Sequence, residues 1–152
     1  MIKETYETLC KEHKLPSYEE MDQEFDLCSI EEEHHLLRSV KKRMDDRVHY
    51  VGSLVETIIR PNPESYSDMY ECRYFSDADK KKVYELLREM HHILRSLDES
   101  NVLCNEKRDA QLINEIFAAW PALKKEALSF IGRLKDAWRA QSNGKEHISY
   151  LG

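Results

Sequence analysis

The fold of this chain is decided by the stretch Ser29–Arg60, which reads SIEEEHHLLRSVKKRMDDRVHYVGSLVETIIR. It contains no proline, and its apolar residues recur at intervals of three and four along one helix face. These residues are Ile30, Leu37, Val40, Met44, Val48, Val51, Val55 and Ile58. Ser29 and Glu32 have the spacing of a capping box, and Pro61 forbids continuation at the other end. The pattern predicts one long helix over about residues 30–60.

The composition of the 152 residues is typical of an acidic helical protein. Charged residues make up 34% of the chain, which has only four glycines and four prolines, whereas a sandwich or barrel needs many such turn residues. No apolar run approaches the roughly 20 residues of a membrane span, and residues 1–14 lack the apolar core of a signal peptide. The cysteines are far apart in sequence, so we expect reduced thiols and a cytoplasmic location.

Two further long periodic segments complete the predicted all-α bundle. We expect an antiparallel bundle of three long helices at about residues 30–60, 77–98 and 106–141, with Ser76 and Asn105 at the starts of the second and third. The apolar phase, from Ile113 through Trp120 to Trp138, is preserved across Pro121, which leaves one kinked helix and a break into two helices as alternatives. The turn expected at residues 98–101 separates the last two helices.

Smaller elements are expected to close the bundle. Two short N-terminal helices, the second opened by a capping box of Ser17 and Glu20, cannot be stable alone and should lie on the long helix. Their expected buried residues are Tyr6, Leu9, Met21, Phe25 and Leu27. We predict one helical domain over residues 1–144, with residues 1–29 as an acidic arm packed on the bundle and residues 145–152 as a mobile tail.

The net charge of −6 is unevenly distributed. Residues 1–29 contain three lysines and eight acidic residues, whereas residues 105–152 contain eight basic and six acidic residues. The acidic arm can therefore dock on the C-terminal helix or reach a basic partner. Because the lysines and arginines of that helix are scattered around it, the pattern argues against nucleic acid as the partner.

Histidine spacing suggests a metal site that the helix geometry does not support. Glu-x-x-His pairs such as Glu31–His34 and Glu89–His92 resemble the spacing of di-iron carboxylate bundles, where both side chains point inward. At 100° per residue these side chains lie at or beyond the edges of the apolar stripes. We therefore predict no metal and no cofactor, and the candidates for a surface metal site are Glu31, His34, His35, His91 and His92. Cys10 and His13, one turn apart, are the best local pair for nucleophilic catalysis, and their ordinary explanation is packing.

A tyrosine-rich segment is the candidate partner-binding surface. Tyr66, Tyr70 and Tyr74 are four residues apart with Met69 beside them, which predicts a short helix at about residues 64–73. The stripe either covers the end of the bundle or forms an exposed surface for a partner. No catalytic set is assembled, so we expect a helical interaction protein, an adaptor or complex subunit, that binds a protein partner or a second copy and no membrane. A metal-dependent enzyme and a nucleic-acid accessory protein are the alternatives.

Overall fold

A computed structural model describes residues 1–140, in which the regular structure is entirely helical. The helices are α1 (Ile2–His13), α2 (Tyr18–Phe25), a 3-10 helix (Leu27–Ser29), α3 (Leu36–Glu56), α4 (Tyr66–Tyr74), α5 (Asp77–Leu103) and α6 (Glu106–Ala137). The three long helices α3, α5 and α6 pack on one another, which confirms the predicted all-α bundle. Lys41, early in α3, contacts Ser100 late in α5 and Asp109 early in α6, so α5 runs antiparallel to the other two. The predicted tail at residues 145–152 lies outside the described residues.

Three helices begin at the polar N-cap residues that the sequence predicts. Ser17 accepts a hydrogen bond from an amide in the first turn of α2, and Asn105 does the same for α6. At α5, Ser76 accepts from the Asp79 amide while the Asp79 carboxylate accepts from the Ser76 amide, which completes a capping box. Each bond satisfies a backbone donor that has no partner inside the helix.

The long helix α3 begins at Leu36, so the predicted capping box of Ser29 and Glu32 is wrong. Ser29 lies in the 3-10 helix, where its hydroxyl donates to the carbonyl three residues earlier at 2.7 Å. Irregular backbone follows and buries Ile30 while Glu32 stays in solvent. Helix propensity is a preference of less than about 1 kcal/mol per residue, and tertiary packing overrides it here.

The turn predicted at residues 98–101 is wrong, because α5 continues to Leu103. Lys41 donates hydrogen bonds to Ser100 and Asn101, each at 2.8 Å. Serine and asparagine favour turns when their side chains bond to nearby backbone groups. Here the lysine of a neighbouring helix engages both side chains, and the helical conformation persists.

Pro121 lies inside α6, which is one continuous helix and resolves the alternative that the sequence leaves open. Ile116 and Trp120 before the proline and Ala127 after it are all buried. Proline removes one hydrogen bond from the helix, but burial of a single apolar face on both sides stabilises the continuous form. No helix in residues 1–140 has both the length and the apolar character needed to cross a membrane.

The N-terminal helix α1 contacts α3 and α6, whereas α2 contacts α3 and reaches α6 through the side chains of Glu24 and Phe25. The expected core residues Tyr6, Met21, Phe25 and Leu27 are buried, and Leu9 is partly buried. The Phe25 ring lies 5.9 Å from the ring of Trp120 in α6. The Glu24 carboxylate accepts hydrogen bonds from the Trp120 indole at 3.1 Å and from Lys124 at 2.9 Å. The acidic helix α2 thus pairs with basic and aromatic groups of α6 within the molecule.

Candidate protein-interaction site

The tyrosine-rich segment forms α4, which packs across the end of α6. Ser65 caps the helix by accepting a hydrogen bond from the Asp68 amide at 3.2 Å. Tyr70 donates its hydroxyl proton to the carbonyl of Ala137, and its ring lies 4.5 Å from the ring of Trp138. Tyr70 therefore attaches α4 to the last turn of α6.

The remaining side chains of this segment are partly open to solvent. Tyr66 stacks on Tyr70 with ring centroids 6.3 Å apart, and Met69 is half-buried. Tyr74 is 41% exposed and Trp138 is 47% exposed, although α6 periodicity predicts Trp138 in the core. We call Tyr66, Met69, Tyr70, Tyr74 and Trp138 the aromatic patch. The tyrosine stripe therefore serves both predicted roles in part. Tyr70 covers the end of the bundle, whereas Tyr74 belongs to an exposed surface.

Phe75 and Arg133 anchor the aromatic patch to the bundle. Phe75 is buried 6.1 Å from the ring of Phe130, and the Arg133 guanidinium lies 4.8 Å from the Phe75 ring. The same guanidinium donates two hydrogen bonds to Asp79 at 2.9 and 2.8 Å. These bonds, with those from Ser76, hold the pKa of the Asp79 carboxyl well below its ordinary value. The turn between α4 and α5 is therefore fixed to α6 by charge and by packing.

Trp138 is oriented by a second contact, because its indole N–H donates to the Glu71 carboxylate at 2.9 Å. Trp138 directly follows the last residue of α6, where few residues of the same helix can cover its ring. Which element would meet it there is decided only by the packing of α4.

The five candidates for a metal site are not brought together. Glu31, His34, His35, His91 and His92 are all exposed, and none belongs to a group of three metal-ligating atoms among the described residues. His35 has a positive φ of 54° at the start of α3, and His34 precedes it outside the helix. Because residues 31–35 are not helical, Glu31 and His34 are not one helical turn apart as the predicted metal spacing requires.

One cluster of metal-ligating types exists in residues 1–140, formed by Asp22, Asp26 and Cys28. Its members already bond to one another: the Cys28 amide donates to Asp22 at 2.7 Å and the Cys28 thiol donates to Asp26 at 3.2 Å. Hydrogen bonding to Asp26 and then to Asp22 raises the pKa of Cys28 to about 11. These bonds stabilise the turn after α2 and keep the Cys28 thiol protonated near neutral pH.

The Cys10–His13 pair also has no nucleophilic geometry. The Cys10 thiol points to the backbone, where it lies 2.9 Å from the carbonyl oxygen of Leu15. The His13 Nε2 atom is buried without a hydrogen-bond partner among the described residues, and its nearest carboxylate oxygens, of Glu12 and Glu106, are 3.9 and 4.0 Å away. Cys10 therefore has a neutral acceptor instead of a base.

A buried polar network that the sequence pattern did not predict joins the three long helices. Lys41 is 2% exposed, and its ammonium donates to Ser100, Asn101 and Asp109 at 2.8, 2.8 and 2.9 Å. These bonds use all three protons of the ammonium group. A signal was present, because Lys41 follows Leu37 by four residues on the apolar face of α3. The network is structural, since its lysine is enclosed.

Comparisons of the chain with protein-family models, curated proteins and solved structures find no match.

Proposed function

We propose that this protein is a small helical adaptor or complex subunit that binds a protein partner through the aromatic patch. The observation that supports it is the convergence of side chains from α4 and from the end of α6, with Tyr74 and Trp138 each more than two-fifths exposed. Tyrosine and tryptophan are enriched at binding hot spots because they provide large contact areas with few rotatable bonds.

Pre-organisation also supports this role. Tyr70 is fixed by the Ala137 carbonyl, and Trp138 is fixed by Glu71, so these two rings are held before a partner arrives. A surface whose side chains are already ordered loses less conformational entropy on binding. We also propose a cytoplasmic location, which the free thiols of Cys10, Cys28, Cys72 and Cys104 support.

The experiment compares partner recovery by matched tyrosine variants of the full chain. Tyr74→Ser removes an exposed ring of the aromatic patch, and Tyr50→Ser removes a ring that is 59% exposed on α3. Each tagged variant is purified from the native host, and co-purifying proteins are quantified by mass spectrometry. We expect a stoichiometric partner that Tyr50→Ser retains and Tyr74→Ser loses, with equal melting temperatures for both.

The same pair of variants tests a homo-oligomer. If the bound protein is a second copy, sedimentation should show a dimer that Tyr74→Ser alone dissociates. Retention of every partner by Tyr74→Ser, in a protein that melts like the wild type, would contradict the proposal. Tyr70 is a poor choice for this test, since its loss would detach α4 from Ala137.

A further inference from the structure

A second surface lies in the groove between α5 and α6, which we call the α5–α6 groove. It has a volume of about 440 Å³. Its apolar lining consists of Ile93, Leu112, Ile116, Ala119, Ala122 and Leu123. Ala119 and Ala122 are exposed, so the groove is open along α6. Their small side chains leave room for a helix to approach at ordinary packing distance.

The groove continues toward the α5–α6 turn. A cavity of about 100 Å³ lined by Glu99 and Arg108 shares Ser96, Leu112 and Glu115 with it. From Glu89 at one end to Glu99 at the other, α5 advances by ten residues, or about 15 Å. This length fits about three turns of a bound helix.

The molecule shows how a neighbouring surface of the bundle is filled. There, α2 lies against α3 and α6, with Phe25 packed on Trp120 and Glu24 paired with Lys124. A short amphipathic helix thus covers apolar surface of α6 while its charged edge pairs with a charge of opposite sign. The α5–α6 groove presents the same kind of apolar surface with Ala119 uncovered.

The charges that line the groove and its extension are mainly acidic. Glu89, Glu99 and Glu115 contribute carboxylates, and none of the three forms an ion pair within residues 1–140. Arg108 and His92 are the basic types present. Unpaired acidic groups beside an apolar floor favour a ligand with apolar residues on one face and lysine or arginine at its edges.

We infer that the α5–α6 groove binds a basic amphipathic helix of a protein partner. The helix has apolar residues at positions i, i+3 or i+4, and i+7, and it lies along Ala119 with its basic residues near Glu89 and Glu115. This site uses none of the residues of the aromatic patch, so the two proposals can fail separately.

The experiment measures binding of a model peptide to the full-length protein by fluorescence anisotropy. The probe is a labelled amphipathic peptide of about four turns made of leucine, alanine and lysine. The comparison peptide has glutamate at every lysine position. We expect the lysine peptide to bind, the glutamate peptide to bind at least about tenfold more weakly, and added salt to weaken the binding of the lysine peptide.

Two pairs of matched variants locate the binding. Ala119→Arg places a bulky cation on the groove floor, whereas Ala118→Arg changes an exposed neighbour that does not line the groove. Glu115→Lys reverses a groove charge, whereas Glu126→Lys reverses an exposed charge elsewhere on α6. We expect Ala119→Arg and Glu115→Lys each to weaken binding by about tenfold, and both controls to leave it unchanged.

Three results would overturn the inference. They are no binding of the lysine peptide, equal binding of both peptides, and equal losses in Ala118→Arg and Ala119→Arg. A wild-type dimer that Ala119→Arg converts to a monomer would assign the groove to a second copy and would also overturn it. Circular dichroism of each variant verifies the fold, because these positions are exposed and should tolerate substitution.

Discussion

Replacement of Lys41 by methionine is the sharpest test of how the bundle is held together. Methionine is similar in length to lysine and fills the space of its alkyl chain, but it donates no hydrogen bond. The substitution removes three hydrogen bonds that link α3 to Ser100, Asn101 and Asp109. It also leaves Asp109, only 8% exposed, without its cation.

The expected loss follows from the burial of Asp109. Removal of one partner of a buried ion pair costs about 3–5 kcal/mol. We therefore expect Lys41→Met to lower the free energy of unfolding by about 3–5 kcal/mol at pH 7.

The assay is urea unfolding at pH 7, followed by helical circular dichroism. The double variant Lys41→Met/Asp109→Leu should recover to within about 1 kcal/mol of the wild type, because no buried charge is left unpaired. Ser100 remains satisfied there by its own bond to the Leu97 carbonyl. Lys42→Met is the control, since Lys42 is exposed and should contribute less than about 1 kcal/mol.

Two results would contradict a stabilising role of this network: a cost of less than about 1 kcal/mol for Lys41→Met, or losses from Lys41→Met and Asp109→Leu that simply add in the double variant. The first result would mean that water or a rearranged side chain replaces the ammonium group. The second would mean that the two charged groups are energetically independent despite a separation of 2.9 Å.

Two further substitutions test α5 and its neighbours. A Cβ at Gly52 would lie 3.5 Å from the Met90 sulfur, an ordinary contact, so Gly52→Ala should stabilise the protein by about 0.5–1 kcal/mol in urea unfolding. Gly132→Ala is its control, because a Cβ at Gly132 would have no atom within 4 Å. A loss of stability in Gly52→Ala alone would contradict the ordinary contact expected between this Cβ and Met90. Because the pKa of Asp79 is lowered from 3.8 in the folded state, its bonds to Arg133 stabilise the protein above about pH 4 and weaken as the pH falls further. Asp79→Asn should therefore unfold at lower urea than the wild type at pH 7, and the difference should shrink below about pH 4; equal midpoints at pH 7 would contradict this.

The candidate site could be predicted only in part. The spacing of Tyr66, Tyr70 and Tyr74 places the helix correctly to within two residues, because it depends on local periodicity. The role of Trp138 could not be predicted, since the α6 stripe assigns it to the core and its neighbours Tyr70 and Glu71 are almost seventy residues away in sequence. A contact between two helices that are so far apart in sequence produces no pattern of apolar spacing within either helix.

The amino-acid sequence is sufficient to predict the set of helices, most of their capped starts and the faces that they bury. These features depend on interactions within one or two turns, such as the capping box of Ser76 and Asp79. Tertiary structure alone decided that α3 begins at Leu36 and that α5 continues to Leu103. At the start of α3, tertiary packing outweighs the local preference for helix. At the end of α5, the hydrogen bonds from Lys41 to Ser100 and Asn101 outweigh the local preference for a turn.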